Sequence, residues 1–127
     1  MPGSGRHLLL LSCLFCASVL GACEDKTAAA IARGNQAAKA GKLTDAASAY
    51  ESATKASPEN ARAYELLGHV YFELGRNEEA RKAYESALMR LPSSVDARIG
   101  IARLDGAAGK RDEAIAQLAS VLKSAPD

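Results

Sequence analysis

Few side chains of this chain carry the chemistry that catalysis or metal binding requires. All three cysteines lie within the first 23 residues, and His69 is the only histidine after residue 7. The sequence contains no glycine-rich loop of the kind that cradles phosphate. Its many Asp and Glu residues fall at expected helix starts and on expected exposed faces, where capping and solvation account for them. We therefore expect no catalytic residues, no metal site and no cofactor.

The N-terminal segment has the organisation of a secretory signal. Arg6 supplies a positive charge, and residues 8–20 form a mainly apolar run of 13 residues. That run is shorter than the roughly 20 residues that a membrane-spanning helix needs. The pattern predicts a signal peptide over residues 1–22. The alternative is an ordinary signal or a membrane anchor, in which Cys13, Cys16 and Cys23 are three apolar residues.

The residues Leu-Gly-Ala-Cys at positions 20–23 resemble the bacterial lipobox. The resemblance implies a diacylglycerol attached through a thioether to Cys23, cleavage before that residue, and usually a further acyl chain on its amine. Two or three chains hold a protein on a membrane essentially permanently, because each buried CH2 contributes about 0.8 kcal/mol. Glu24, in place of the Asp that commonly retains lipoproteins in the inner membrane, implies sorting to the outer membrane of a Gram-negative bacterium, facing the periplasm.

Such processing would leave no pair of thiols in the mature chain. Cys13 and Cys16 would depart with the signal, which excludes a disulfide, a zinc site or a redox Cys-x-x-Cys motif. Residues 23–26 would form the lipidated N-terminus and a short linker. A linker of that length would hold the folded part within about 10 Å of the lipid surface.

The rest of the chain is a 34-residue repeat, present in register as residues 27–60, 61–94 and 95–127, the last copy being one residue short. Small residues recur at the eighth, fifteenth and twentieth positions: Gly34, Gly68 and Ala102; Gly41, Gly75 and Gly109; Ala46, Ala80 and Ala114. Larger residues recur at position 24, and proline recurs at position 32: Tyr50, Tyr84 and Leu118; Pro58, Pro92 and Pro126. Self-similarity at such a period is typical of solenoid proteins.

This pattern resembles the tetratricopeptide repeat over residues 27–127. The resemblance implies an all-α fold, a right-handed α-solenoid in which each repeat is a helix A followed by a helix B. Small residues at positions 8 and 20 let the two helices approach closely, the glycine at position 15 ends helix A, and the proline ends helix B. An unrelated alanine-rich helical bundle is the alternative.

The three repeats differ in strength. The middle repeat has the most large apolar residues: Tyr64, Leu67, Tyr71, Phe72, Leu74, Tyr84 and Leu88. We therefore expect residues 61–94 to be the most stable unit and residues 27–60 to fray first. The third repeat departs from the family pattern, because Arg98 and Asp105 stand at positions that are usually apolar.

The charge pattern argues against nucleic acid as a partner. Residues 23–127 carry 15 of the 16 basic residues, Arg6 being the exception, and all 15 acidic residues. Both signs alternate along this region, so no basic patch for phosphate contacts is expected.

The family resemblance implies a concave face, formed by the A helices, that takes an extended or helical peptide. The residues predicted to bind a partner there are Ile31, Asn35, Arg62, Glu65, His69, Phe72, Glu73, Ile99 and Arg103. Phe72 at the centre would be an exposed aromatic anchor between Ile31 and Ile99, ringed by charge as interface hot spots are. The alternatives are that Phe72 packs between repeats and that His69 is a solvated helix residue. Of the residues with which some family members clamp a C-terminal carboxylate, only Asn35 is kept.

The chain ends at Asp127 without the extra polar helix that often covers the last repeat. We therefore expect Ile115, Leu118 and Leu122 to be exposed and to favour self-association or docking. Fraying of an imperfect terminal repeat is the alternative.

The leading functional hypothesis is a membrane-tethered adaptor that holds a protein or peptide partner during assembly of a secretion, pilus or other envelope complex. Two alternatives remain open: a self-associating structural scaffold, forming a homo-oligomer, and an accessory factor of polysaccharide export. Enzymatic activity is not expected.

Overall fold

The computed structural model of the protein describes residue 22 and residues 24–124. Cys23, residues 1–21 of the predicted signal peptide and residues 125–127, which include Pro126, lie outside the described residues. Regular structure in the described part is helical throughout. Its helices are α1 (24–39), α2 (Leu43–Ala56), α3 (Ala61–Glu73), α4 (Asn77–Arg90), α5 (Val95–Ala107) and α6 (Arg111–Ser124).

The turn between the helices of each repeat is made by its glycine. Gly41, Gly75 and Gly109 all have positive φ angles, 74°, 74° and 81°, in the left-handed region that glycine adopts at low cost. The following N–H then closes the helix end, as Arg76 N does by donating to Tyr71 O at 2.8 Å. The predicted role of position 15 in ending helix A is confirmed.

The connection from one repeat to the next begins before a proline. Ser57 and Leu91 precede Pro58 and Pro92 and are extended, with φ of −139° and −133°, as the proline ring requires. The prediction that these two prolines end helix B is confirmed.

Within each repeat the two helices meet through a tyrosine and a glycine. A Cβ atom added to Gly34 would lie 2.3 Å from Tyr50 Cε1, and one added to Gly68 would lie 2.7 Å from Tyr84 Cδ1. Both tyrosines are almost fully buried. The ring at position 24 therefore occupies the space that a side chain at position 8 would fill, and only glycine fits there.

The Tyr84 ring also carries the contact to the next repeat. A Cβ on Gly100 of α5 would come within 2.3 Å of Tyr84 Cζ. The ring is thus held between Gly68 of its own repeat and Gly100 of the following one. Tyr84 therefore packs both between α3 and α4 within its repeat and between α4 and α5 of successive repeats.

The core is continuous along the stack and richest in the middle repeat. Successive helices pack against one another, and helices α3 and α5 also touch. The buried cluster joins Leu67, Val70, Tyr71 and Leu104 with many alanines. A smaller cluster of Ala30, Ala53 and Ala63 lies toward the first repeat. Its short side chains bury less apolar area, which agrees with the expected weakness of residues 27–60.

Two acidic residues contradict the expectation that the acids lie on exposed faces. The side chains of Glu65 and Asp105 are buried. Asp105 accepts hydrogen bonds from Arg81 Nη2 on α4 and from Gln117 Nε2 on α6, the latter at 2.8 Å. The expectation was wrong because partners from neighbouring helices replace the water that each carboxylate loses.

Residues 24–26, which the sequence suggests as a linker, are helical and continue into α1. At about 1.5 Å per residue a helix advances less than half as far as extended chain. Residues 24–26 are therefore part of helix α1.

Candidate functional site

The predicted partner-binding residues lie on the three A helices, α1, α3 and α5. Asn35, Arg62, Glu73 and Arg103 are exposed. Four others are half-buried: Ile31, His69, Phe72 and Ile99. Glu65 is buried, and it occupies in the middle repeat the fifth position that Ile31 and Ile99 occupy in the outer two. An acidic residue therefore stands between the two isoleucines at this repeat position.

Phe72 lies at the centre of this face and is engaged on one side of its ring. Its inner part packs on the core cluster, while the guanidinium of Arg103 on α5 lies over the ring at 4.4 Å from the centroid. A cation over an aromatic face is attracted by the ring quadrupole. Phe72 is thus a half-buried, partly covered aromatic side chain that packs locally, and its role as a binding anchor stays a prediction.

The ninth position of the repeat carries the polar groups of the face. Tyr50 donates its hydroxyl proton to Asn35 Oδ1 at 2.7 Å, and Tyr84 Oη lies 3.0 Å from His69 Nδ1. In the third repeat Leu118 replaces the tyrosine, so Arg103 has no such partner and extends over Phe72 instead. The third repeat therefore differs at both position 9 and position 24, and Arg103 brings a positive charge over Phe72.

The His69–Tyr84 pair is neutral near pH 7. Burial lowers the pKa of His69 below its ordinary value, although nearby Asp96 acts in the opposite direction. Burial also raises the pKa of Tyr84 to about 12. Both rings are therefore uncharged, and a hydrogen bond joins Tyr84 Oη to His69 Nδ1 with a direction set by the imidazole tautomer.

A second polar group links α3 to α5 at the edge of the same face. Arg62 Nη1 donates to Glu65 Oε2 at 3.1 Å and to Asp96 Oδ2 at 2.8 Å. Ser94 donates to the other oxygen of Glu65 and accepts from Ala97 N at 3.1 Å, capping α5. Since Arg62 and Asp96 are more than half exposed, their ion pair remains open to a ligand.

The sequence interpretation did not find these contacts. Arg62 and Asp96 stand 34 residues apart, at the same position of successive repeats, and Tyr50–Asn35 and Tyr84–His69 share a separation of 15. Donor and acceptor side chains that recur at a fixed separation, 34 residues for the ion pair and 15 for the tyrosine pairs, are the sequence signal for these contacts.

A cleft of about 320 Å³ opens beside this face at the N-terminal end. It is lined by Ile31 and Ala28 of α1 and by Ser57, Glu59 and Asn60 of the connection to α3, among others. The half-buried side chain of Ile31 therefore forms part of the wall of this cleft.

The far end of the stack exposes a row of apolar side chains. Ile115, Leu118 and Leu122 on α6 are 64%, 42% and 77% exposed. Only Ala114 and Val121 of this helix are buried.

Residues 24–124 show no grouping of three or more His, Asp or Glu side chains that could hold a metal ion. None of the described helices combines the length and the apolar character needed to cross a bilayer.

Family models described as tetratricopeptide repeat match residues 31–95 and 75–127. The chain belongs to the tetratricopeptide repeat family. Together the two matches include helices from all three repeats, and they agree with the turn glycines and the A–B helix pairs described above. No curated protein matches the chain significantly.

Solved structures with the same fold include several repeat domains. The TPR2B domain of yeast Sti1, from a complex with pHsp70, is 25% identical, with a TM-score of 0.72 over 76% of this chain and 77% of that one. The second TPR of Spaghetti (RPAP3), bound to the HSP90 peptide SRMEEVD, is 26% identical, with a TM-score of 0.73 over 80% and 96%. MamA is 27% identical, with a TM-score of 0.70 over 76% of this chain and 53% of its own.

Proposed function

We propose that this protein is a membrane-anchored adaptor that binds a segment of a partner protein on the concave face of its A helices. The observation that carries the proposal is the centre of that face. There Phe72 presents a half-buried ring beside exposed Arg103 and Glu73, with the open Arg62–Asp96 pair at the edge. Aromatic and arginine side chains within a polar surround are the usual anchors of protein interfaces.

The structural relatives support a peptide as the ligand. The Spaghetti domain holds an HSP90 peptide, and the Sti1 domain was solved in complex with pHsp70. This chain differs from domains that clamp a terminal carboxylate, because it keeps only Asn35 of their clamp residues and has Ile31, Leu66, Asp96 and Gly100 at the other positions. We therefore propose an internal segment with an apolar side chain directed at Phe72.

The anchor is proposed from the lipobox-like sequence ending at Cys23. Lipid on this cysteine would place the protein in the cell envelope, at the periplasmic side of the outer membrane, where it would aid assembly of a larger complex. Residues 24–26 are helical, so no extended linker lies between residue 23 and the rest of α1. This supports the proposal that the concave face lies close to the bilayer.

The binding face is tested by Phe72→Ala. The partner is first captured on the lipidated protein in its native envelope, and the purified partner is then titrated calorimetrically against each variant. We expect Phe72→Ala to weaken binding by about 2 kcal/mol, or about 30-fold in Kd. Met89→Ala, an exposed apolar residue on α4 outside this face, is the matched control and should leave Kd unchanged.

Circular dichroism of Phe72→Ala should retain the helical signal, so that weaker binding reports on the surface. Equal affinity of the Phe72→Ala and wild-type proteins would exclude the concave face as the binding site.

The anchor is tested by labelling cells with a radioactive fatty acid. Cys23→Ser should abolish incorporation and release the protein from the outer-membrane fraction. Cys16→Ser, which changes a cysteine of the predicted signal peptide, should leave both unchanged. Labelled Cys23→Ser protein would contradict lipidation at this residue.

A further inference from the structure

We propose that copies of this protein associate head to tail, with the exposed face of α6 of one copy seated on the outer face of α1 of the next. The contact would reproduce the junction between α4 and α5 inside the chain. This inference goes beyond the concave groove and does not depend on it.

The exposed face of α6 is the repeat equivalent of a face that is covered in the middle repeat. Ile115 and Leu118 correspond, 34 residues earlier, to Arg81 and Tyr84 of α4. There Arg81 pairs with Asp105 of α5, and the Tyr84 ring lies against Gly100 of α5. The α6 face is therefore built for a following helix A, and no described residue occupies that place.

The outer face of α1 is the equivalent of the α5 surface that receives α4. Ala97, Gly100 and Asp105 of α5 correspond to residues 68 positions earlier in α1: Ala29, Ala32 and Ala37. Ala29 and Ala32 are exposed, and Ala37 is half-buried. This end of the stack thus presents small side chains, together with the exposed Gln36 at the position of Leu104.

The two ends match in size. Inside the chain a tyrosine at position 24 requires glycine opposite it, as Tyr84 does with Gly68 and Gly100. In the third repeat position 24 is the smaller Leu118, and Ala102 replaces glycine at position 8 of the same repeat. Seating α6 on α1 would place Leu118 against Ala32, so a side chain smaller than tyrosine would again lie opposite one larger than glycine.

The two ends also match in charge. The ion pair of the inner junction, Arg81 with Asp105, becomes Ile115 with Ala37 in the proposed contact, so both partners change from charged to apolar together. The contact would bury no unpaired charge at this point, and that is the condition for apolar burial to favour association. Arg33 lies at the outer edge of the α1 face, where it is exposed beside Ser52.

A symmetric pairing of two α6 helices fits less well. It would set Ile115, Leu118 and Leu122 against the same three side chains, whereas α1 supplies Ala29 and Ala32 opposite them. Close helix packing needs one side to supply small residues or grooves. A head-to-tail contact joins two different faces, so each added copy offers a free α6 face and assembly is open-ended.

The test uses residues 24–127, which retain every contact described above, in analytical ultracentrifugation. The wild-type chain should sediment faster as its concentration rises. Leu122→Lys blocks the α6 face and Ala32→Lys blocks the α1 face, and each variant alone should remain a monomer. Both positions are exposed, so both variants should keep the helical signal. Ser120→Lys is the matched control and should assemble like wild type, because Ser120 is exposed and its equivalent Ser86 lines a cleft with α3 rather than α5.

The decisive measurement is the mixture of the two blocked variants. Each retains the face that the other lacks, so a one-to-one mixture should form a dimer and stop there. Dimers of Ala32→Lys alone, with none gained on mixing, would indicate symmetric α6 pairing and overturn the proposal. A wild-type chain that stays monomeric at all concentrations would also overturn it, and would assign the α6 face to a different protein.

Discussion

At the scale of single residues, the structure depends on matched sizes at positions 8 and 24 of the repeat. Gly34 and Gly68 leave room for the rings of Tyr50 and Tyr84, and Ala102 accompanies the smaller Leu118. The rings in turn place their hydroxyl groups on the concave face, where they orient Asn35 and His69. The two tyrosines therefore link the packing inside each helix pair to the polar groups at position 9.

The size match predicts the effect of adding one methyl group. Gly68→Ala should lower the free energy of unfolding by about 1–3 kcal/mol, because its Cβ would overlap the buried Tyr84 ring. The measurement is urea unfolding followed by circular dichroism. Adding Tyr84→Leu to Gly68→Ala should cost less than the sum of the two single changes, since the double variant has the pair found in the third repeat.

Gly106→Ala is the control for helix propensity. An added Cβ at Gly106 meets no atom within 4 Å, so this change should stabilise the chain by about 0.5–1 kcal/mol. Gly68→Ala as stable as Gly106→Ala would show that the Tyr84 ring does not fill the space beside Gly68.

The lowered pKa of His69 predicts a loss of stability in mild acid. The ordinary value is 6.5, and burial holds the folded-state pKa below it. At pH values between these two the unfolded chain binds more protons than the folded one, so the free energy of unfolding falls as the pH falls below about 7. Above that range the contribution is fully present.

Urea unfolding at several pH values between 8 and 5 measures this slope. His69→Asn supplies the amide that Asn35 offers to Tyr50 in the first repeat, and it removes the titrating group. The variant should lose less stability than wild type over this range. Parallel pH profiles of the two proteins would contradict the assignment, because the carboxylates are common to both.

At the scale of helices, the junction between α4 and α5 combines the apolar Tyr84 contact with a buried ion pair. Asp105 has its acceptors satisfied by Arg81 and Gln117, which come from the helices on either side of it. Gln117 joins α6 to the same carboxylate. Three helices therefore share one buried charge, and its loss affects both junctions of the third repeat.

Replacing Arg81 measures the free-energy cost of burying the Asp105 carboxylate. Arg81→Met should destabilise the protein by about 3 kcal/mol, because it leaves the Asp105 carboxylate buried without its counter-charge. Adding Asp105→Leu should recover most of the loss in denaturant unfolding. Arg111→Met, an exposed arginine on α6, is the control and should change little. An equally small effect of Arg81→Met would mean that water replaces the guanidinium.

The helical elements were predictable from the sequence and their polar contacts were not. Glycine at Gly41, Gly75 and Gly109 and proline after Ser57 and Leu91 act on the local backbone, so their effect is readable from neighbouring residues alone. Burial of Glu65 depends on Ser94, which is 29 residues away. Such a contact requires the relative rotation of two helices, which the repeat period does not specify.

At the scale of the whole molecule, stability should decline from the middle of the stack toward both ends. Helices α3 and α4 have neighbours on both sides and hold most of the large buried side chains, whereas α6 buries only Ala114 and Val121. In a linear stack each repeat gains stability mainly from its adjoining repeats. The first repeat contributes mostly alanines to its inner cluster.

Amide hydrogen exchange followed by mass spectrometry should show this order. Peptides from residues 61–94 should exchange most slowly, and those from residues 27–60 and from α6 should exchange sooner through local opening. Uniform protection along the chain would mean that the three repeats open only together, contrary to the gradient in buried apolar area.

Because the sequence has no tryptophan and four tyrosines, intrinsic fluorescence can report on one joint of the stack. Tyr50, Tyr64 and Tyr71 lie in the first two repeats, and the third repeat contains no tyrosine. The Tyr84 ring packs against Gly68 of its own repeat and against Gly100 across the α4–α5 junction. The emission that disappears in Tyr84→Phe is therefore an optical signal for detachment of the third repeat, available without any attached dye.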